Sequence, residues 1–470
     1  MKVEAEVETI PQRVHLVGVG GIHMSGIAQI LRARGHTVSG SDLRPSSLTE
    51  RLMGLGVAVY KGHDAGHLGE AQLVVYTSAA HEDNPELAEA RRRGIATIKR
   101  AEMVARLMEG KQVVAVAGSH GKTTTTSLIA YLLWRAGQSP TFMLGGEMVD
   151  LATNVIAGTG PHFVVEADEF DAAFLNYRPY LAVVTNVEPD HLDFYGTFER
   201  LTDAFRQFLT QVSPSGYILA CGNNPALQAI MAQVVGGDAL LPVRVISYGL
   251  GENFSWNAEK LSPKGVDGYT FVVKCGQEVV GEFETRLLGV HNVSNCLAAI
   301  ATGDLLGLPL EITQQAISEF RGVRRRFEWI GEAAGITVMD DYAHHPTEVK
   351  ATLAAARQRF PGRHLLCLFQ PHTYSRSQYL LKDFRTCFEG VDVLFLAETY
   401  AAREEPSAGI DARRLAEAIS DPPAIFAGTL EESAQTILAA LKPGDVFFTI
   451  GAGDVDNVAR LVLEALERRQ

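Results

Sequence analysis

Residues 113–133, VVAVAGSHGKTTTTSLIAYLL, put a short β-branched run, a glycine turn and a helix-like stretch in immediate succession. A strand that feeds a helix through Gly118, Ser119, His120, Gly121, Lys122, Thr123 and Thr124 calls for an α/β layer that buries the strand on both faces. Backbone N–H groups at such a helix start point at an anion, and Lys122 adds a charge for the outer phosphates. Thr123 offers a hydroxyl to a Mg²⁺ ion. The longer form of this loop has glycine five positions before Gly121; Val116 stands there, so this is the shorter GxxGKT variant. The bland alternative is a chance glycine turn ahead of a core helix. The order strand, Gly-Lys-Thr, helix weighs against it.

Short apolar runs of the same kind recur at residues 14–17, 183–185, 365–369, 393–396 and 446–450, each with glycine or a turn beyond it. Their alternation with helix-like segments predicts an α/β chain with buried parallel strands. At 470 residues one core is too few, and three blocks are expected: 1–110, 111–324 and 325–470. Residues 243–288 alternate like antiparallel strands and read as an insertion into the second block. The net charge of −13 makes nucleic acid a poor partner. The five cysteines (Cys221, Cys275, Cys296, Cys367, Cys387) form no CxxC pair, which argues against a zinc site of that type and against a disulfide framework. No apolar run reaches the length of a membrane span, so a cytoplasmic protein without membrane contact is expected.

Two acidic segments could complete a metal–phosphate site. Val164-Val165-Glu166-Ala167-Asp168-Glu169 is a strand running into carboxylates, and Asn186-Val187-Glu188-Pro189-Asp190-His191-Leu192-Asp193 follows another strand end. Each alone would be a solvated acidic turn. At strand C-termini beside the loop, they sit where open α/β sheets gather ligands. A separate glycine turn, Gly18, Gly20 and Gly21 before Met24 and Gly26, resembles a dinucleotide fingerprint with its third glycine late; a second strand then ends at Asp42. It suits a nicotinamide dinucleotide, a flavin or the diphosphate of a sugar nucleotide equally.

The segments VHLVGVGGIHMSGIA, AGSHGKTTTT, EADEFDAAFL, TNVEPDHLDFY, GVHNVSNCLAAI, RRRFE, DDYAHHPTEV and FQPHTYSRS together closely resemble the Mur ligases, in the same order along the chain. That resemblance implies a Rossmann-like N-terminal domain for a UDP-linked substrate, a P-loop-type central ATPase domain and a Rossmann-like C-terminal domain that brings an amino acid. It also implies ATP and Mg²⁺ (or Mn²⁺), and, from the branch most similar, UDP-N-acetylmuramate and L-alanine as substrates. A monomer or weak homodimer is expected.

By the same resemblance, Thr123 and Glu166 hold one metal ion and His191 a second. Asn295 reads adenine, Asp341 binds ribose, and Arg326 reaches the ATP phosphates across a domain junction. Gly18, Gly20, Gly21, Met24, Asp42, Ser78 and Arg100 are the expected contacts of the sugar nucleotide. His344, His345, His372 and Arg376 are those of the alanine and acyl end. The residues alone leave alternatives: Arg324-Arg325-Arg326 reads equally as a solvated run, and the His344-His345 doublet as a turn before Pro346.

Departures from the family pattern are Phe170, where a small polar residue is usual, and Thr373, where arginine is usual. Residues 192–215 contain no lysine, so the carbamylated lysine of many Mur ligases is not expected. Rival readings are a ligase recycling tripeptide onto UDP-N-acetylmuramate and, from the first glycine turn, a nicotinamide-dependent oxidoreductase. Lys122 is expected to be essential for ADP formation and dispensable for folding.

Overall fold

The computed structural model describes residues 9–236, 243–402, 404–406 and 409–469. Three sheets follow one another along the chain. The first holds β1 (Arg13–Val17), β2 (Thr37–Asp42), β3 (Ala58–Lys61), β4 (Leu73–Tyr76) and β5 (Ala96–Lys99), all parallel, in the order β3-β2-β1-β4-β5. The order reverses beside β1, which places a ligand crevice at the glycine turn after its C-terminal end.

The second sheet holds β6 (Gln112–Ala117), β7 (Thr141–Met148), β8 (Thr153–Ile156), β9 (His162–Glu166), β10 (Leu181–Val184), β11 (Tyr217–Cys221), β12 (Arg244–Leu250), β13 (Trp256–Pro263), β14 (Tyr269–Cys275) and β15 (Glu278–Thr285). Its order is β15-β14-β13-β12-β11-β10-β6-β9-β7-β8, so the phosphate-loop strand β6 lies between the two strands that end in the acidic segments. Residues 243–288 are therefore not a separate insertion. β12 pairs parallel with β11 and β13 parallel with β12, and within 243–288 the antiparallel pairs are β13 with β14 and β14 with β15. Alternation reveals a half-exposed strand but not the edge on which it docks.

The third sheet holds β16 (Glu328–Ala333), β17 (Ile336–Asp341), β18 (Leu365–Phe369), β19 (Val393–Ala397), β20 (Ala424–Gly428) and β21 (Val446–Ile450) in the order β16-β17-β21-β18-β19-β20, parallel except for β16. β6, β9, β10, β17, β18 and β21 are buried almost throughout, as strands covered by helices on both faces must be. The first two sheets share one continuous apolar core. The helix Ile22–Ala33 carries Gly26 against β7 and β8, where a Cβ would stand 3.5 Å from Met143 Cε. The late third glycine thus serves helix packing between domains. Among the described residues, no helix is long and apolar enough to cross a membrane.

One buried acid ties the first domain together. Glu86, inaccessible on the helix Pro85–Arg93, accepts from Ser41 Oγ at 2.6 Å and has His63 Nδ1 at 2.9 Å, His67 Nδ1 at 3.0 Å and His15 Nε2 at 3.4 Å. Burial alone would raise its pKa; the nearby His15 ring and the hydrogen bonds with Ser41 and His63 override that and bring it to about 2, below the ordinary 4.5. A depressed carboxylate stabilises the fold above its unfolded pKa, and that stabilisation is lost as pH falls through the folded one. The stability difference between wild type and Glu86→Gln, from urea denaturation, should therefore narrow by roughly 2 kcal/mol between pH 5 and pH 3. A constant difference would show that the buried carboxylate does not titrate with the fold.

Candidate active site

β6 ends at Ala117, and the chain turns through Gly118 (φ +132°) and Gly121 (φ +80°) into the helix Lys122–Arg135. Both glycines are sterically required: a Cβ on Gly118 would strike Thr185 Oγ1, and one on Gly121 would lie 2.7 Å from Asn295 Oδ1. Gly121 gives the helix no side-chain cap, so its first N–H groups face outward as an anion site. Lys122 Nζ donates to Gly118 O at 2.5 Å and to both Glu169 oxygens at 2.9 Å. Burial would lower the lysine pKa, but Glu169 and Asp168 more than offset it and keep the ammonium charged.

The acidic stretch after β9 divides its labour residue by residue. Glu166 accepts from Thr123 Oγ1 at 3.0 Å and from Gly145 N at 2.5 Å. Asp168 takes Arg100 at 3.4 Å, and Glu169 takes Lys122. Asp171 accepts from Ser78 Oγ at 3.0 Å and pairs with Lys99 at 3.0 Å. Ser78 and Arg100 thus tie the first domain to the second through Asp171 and Asp168, partners that no local sequence pattern marks. Lys99 was missed outright. The pairing of Thr123 with Glu166, a hydroxyl and a carboxylate at the ends of neighbouring elements, fits a hard cation with oxygen ligands. His191 follows β10, on the other side of β6 from β9 and Glu166. It opens the helix Leu192–Tyr195 in a left-handed conformation (φ +52°), with Asp190 at 3.9 Å, the Phe170 ring at 5.2 Å, and Asp168 and Glu169 within electrostatic reach.

A cavity of about 440 Å³ opens beside the loop; its walls include Thr124, Asn295, Arg326, Asp341 and Glu348. Asn295 is fixed from below by Thr125 Oγ1 at 3.1 Å, its amide donating to Asn292 at 3.0 Å. Asp341 accepts from Phe327 N and Ala343 N, both at 2.7 Å; burial raises its pKa to about 6, with Arg326 acting against the rise. The three consecutive arginines have three different jobs. Arg324 bridges Glu147 and Glu328 at the surface, at 3.0 and 2.6 Å. Arg325 binds Asp340 and the carbonyls of Gly451 and Gly453 at 2.8–3.0 Å. Arg326 enters the cavity, over the Tyr342 ring at 5.0 Å and 3.8 Å from Glu348. The left-handed backbone at Arg325 (φ +60°) and Phe327 (φ +53°) turns successive side chains apart.

Loop and C-terminal domain also meet at His120. Its Nε2 is 3.2 Å from Glu188 and its Nδ1 3.3 Å from Glu348. Burial disfavours the imidazolium, yet the two carboxylates lift its pKa to about 9. Ser119 closes the turn: its hydroxyl accepts from Glu188 N at 2.9 Å and lies 3.1 Å from Glu188 O.

In the first domain, Gly18 (φ +81°) and Gly20 bring the backbone against Thr77 and Asp42, and Gly20 N donates to Asp42 Oδ2 at 2.9 Å. Gly21 precedes the helix Ile22–Ala33 without a side-chain cap, a second outward anion site. Met24 is buried in the apolar core, 2% exposed, so its side chain packs the domain.

At the junction of the second and third domains, Arg376 donates to Asp190 Oδ1 through Nη2 at 2.7 Å and Nε at 3.2 Å, with His372 Nδ1 2.8 Å from its Nη1. His344 lies beside His372, ring centroids 5.5 Å apart, and burial holds its pKa down at about 4. The histidine doublet divides: His344 joins this cluster, while His345 Nδ1 accepts from Thr347 N at 3.3 Å as the cap of the helix Pro346–Arg359. Thr373 caps the helix Tyr374–Tyr379, accepting from Arg376 N at 3.4 Å.

Three family models match in chain order: Mur ligase family, catalytic domain (residues 13–112), Mur ligase middle domain (116–303) and Mur ligase, glutamate ligase domain (325–453). The chain is 44% identical over 459 residues to a UDP-N-acetylmuramate–L-alanine ligase of Anaeromyxobacter sp. (strain Fw109-5), covering 97% of this chain and 98% of that one. It is likewise 44% identical over 459 residues to the enzyme of that name from Myxococcus xanthus (strain DK1622), covering 97% and 95%. Among solved structures, a UDP-N-acetylmuramate–alanine ligase from Thermotoga maritima superposes with a TM-score of 0.82 at 28% identity, covering 97% and 100%. A murein peptide ligase from Psychrobacter arcticus 273-4 gives 0.74 at 26% identity, covering 97% and 99%. With such likeness over nearly its whole length, the chain belongs to the Mur ligase family.

Proposed function

We propose that this protein joins L-alanine to the lactyl carboxylate of UDP-N-acetylmuramate at the expense of ATP. The observation that carries this reading is the cavity between the phosphate loop and the C-terminal domain, whose walls combine loop backbone, Arg326 and Asp341 in a chain this similar to enzymes of that activity. A carboxylate is a poor acyl donor because its leaving group would be oxide. The carboxylate oxygen therefore attacks the γ-phosphorus, and the bond to ADP breaks. The alanine nitrogen then attacks the acyl carbon and inorganic phosphate departs, the amine losing two protons overall.

The residues supply what this sequence of steps needs. The loop N–H groups, Lys122 and Arg326 collect the phosphates and stabilise charge on the transferring oxygens. Mg²⁺ (or Mn²⁺), held by Thr123 and Glu166, would offset the repulsion between two anions. Asp341 and Asn295 face the nucleoside end. The glycine turn at Gly18, Gly20 and Gly21 takes the diphosphate of the sugar nucleotide. His344, kept neutral by burial, is available to the alanine amine, and Arg376 to its carboxylate.

The test is a panel of amines assayed for phosphate release with ATP and UDP-N-acetylmuramate. Alanine should stimulate release at least ten-fold over the tripeptide L-alanyl-γ-D-glutamyl-diaminopimelate, and hydroxylamine should trap a hydroxamate of the sugar nucleotide when alanine is withheld. Preference for the tripeptide would move the chain to the recycling branch; phosphate release indifferent to the sugar nucleotide would overturn ligation altogether.

A further inference from the structure

We propose that His120, Glu188 and His345 form a binding site for a transition-metal dication of the Zn²⁺ class, distinct from the oxygen-rich Mg²⁺ position at Thr123 and Glu166. One ligand atom from each of the three lies within 4.8 Å of the others. His120 Nε2 is 3.2 Å and His345 Nδ1 3.8 Å from the same oxygen, Glu188 Oε2, and the two imidazole rings stand 4.5 Å apart. Two imidazoles and one carboxylate make a donor set that zinc takes with a fourth position left open, whereas Mg²⁺ prefers oxygens alone.

The surroundings support ligation rather than a chance cluster. A histidine that binds metal through one nitrogen commonly gives its other N–H to a carboxylate, and His120 Nδ1 lies 3.3 Å from Glu348 Oε1. Glu188 is itself steadied, by Thr347 Oγ1 at 2.7 Å. His345 is 4% exposed, and its Nε2 is buried with no hydrogen-bond partner. Buried polar atoms are rarely left so.

Position gives the site a consequence. His120 belongs to the phosphate loop, Glu188 to the acidic segment after β10, and His345 to the start of a C-terminal helix, so one ion would clamp the central and C-terminal domains at the edge of the nucleotide cavity.

Titration of the nucleotide-free full-length protein with Zn²⁺, by calorimetry against a chromogenic chelator, tests the assignment. One Zn²⁺ per chain should bind to wild type and to Glu166→Gln alike, and at least ten-fold more weakly to His345→Ala and to Glu188→Gln. Co²⁺ in place of Zn²⁺ should give visible absorption bands of a four-coordinate site in the first two proteins and not in the others. Circular dichroism identifies a misfolded variant, and Glu188→Gln, which preserves shape, then decides. Equal Zn²⁺ uptake by wild type and the folded variants, or uptake lost in Glu166→Gln and kept in Glu188→Gln, overturns the site and leaves a proton-held contact between domains.

Discussion

Replacing Lys122 with alanine should lower ADP formation by about 10³-fold or more, the usual scale for removing a cation that stabilises a transferring phosphoryl group. The sequence alone suggested that folding would be spared. The structure revises that expectation, because Lys122 is the partner of Glu169, whose side chain is fully buried. Taking away one member of a buried pair leaves the other uncompensated, at a cost of about 3–5 kcal/mol. Burial raises the Glu169 pKa already, with Lys122 opposing the rise, so the abandoned carboxylate would escape part of the cost by taking a proton. Lys122→Ala should therefore unfold at a lower urea concentration as well as being inactive. The double variant Lys122→Ala/Glu169→Gln should recover most of the stability and none of the turnover. Measuring both separates the chemistry from the fold. Turnover within a few-fold of wild type in either variant would show that the loop does not bind the transferred phosphate.

The α/β class, the strand before each glycine turn and the phosphate loop were legible because they rest on local rules. β-branched runs need burial, and an αL position needs glycine. Thr123 is the partner of Glu166 that the resemblance implies, but the partners of the other acids were not legible. Asp168, Glu169 and Asp171 crowd into one short stretch, and only the third dimension hands them to Arg100, Lys122 and Ser78 in turn. Nor does a run of three arginines announce that a left-handed kink will send one to the surface, one to the carbonyls beyond the end of β21 and one into the nucleotide cavity. Glu348 escaped notice for the same reason: in sequence it is the ordinary acidic residue of a helix first turn, and in space it touches the phosphate loop through His120. Met24, a sugar-nucleotide contact by resemblance, packs into the core instead, because a helix in contact with two sheets turns most of its side chains inward. The nicotinamide reading of that motif rests on the glycines and Asp42, which suit any diphosphate-bearing nucleotide equally, and the family to which the chain belongs is one of ligases.

The contact between Asp190 and Arg376 carries the second large expected effect. Both groups are nine-tenths or more buried, and the guanidinium meets one carboxylate oxygen through two nitrogens while its third reaches His372. Burial would raise the Asp190 pKa, but Arg376 holds it well below the ordinary 3.8. Asp190→Ala should cost about 3–5 kcal/mol, because the arginine stays buried without its counter-charge. It should also raise the KM for the amino acid, since the residue proposed to hold the alanine carboxylate loses the group that orients it. A double variant, Asp190→Ala/Arg376→Met, removes both charges and should return to within about 1 kcal/mol of wild-type stability, apolar replacement of a buried pair being close to neutral. Activity should not return with it. That divergence distinguishes an ion pair kept for the reaction from one kept for the fold. Full activity in the double variant would remove Arg376 from the amino-acid site, and a loss below about 1 kcal/mol in Asp190→Ala would mean that water, not Asp190, solvates the guanidinium.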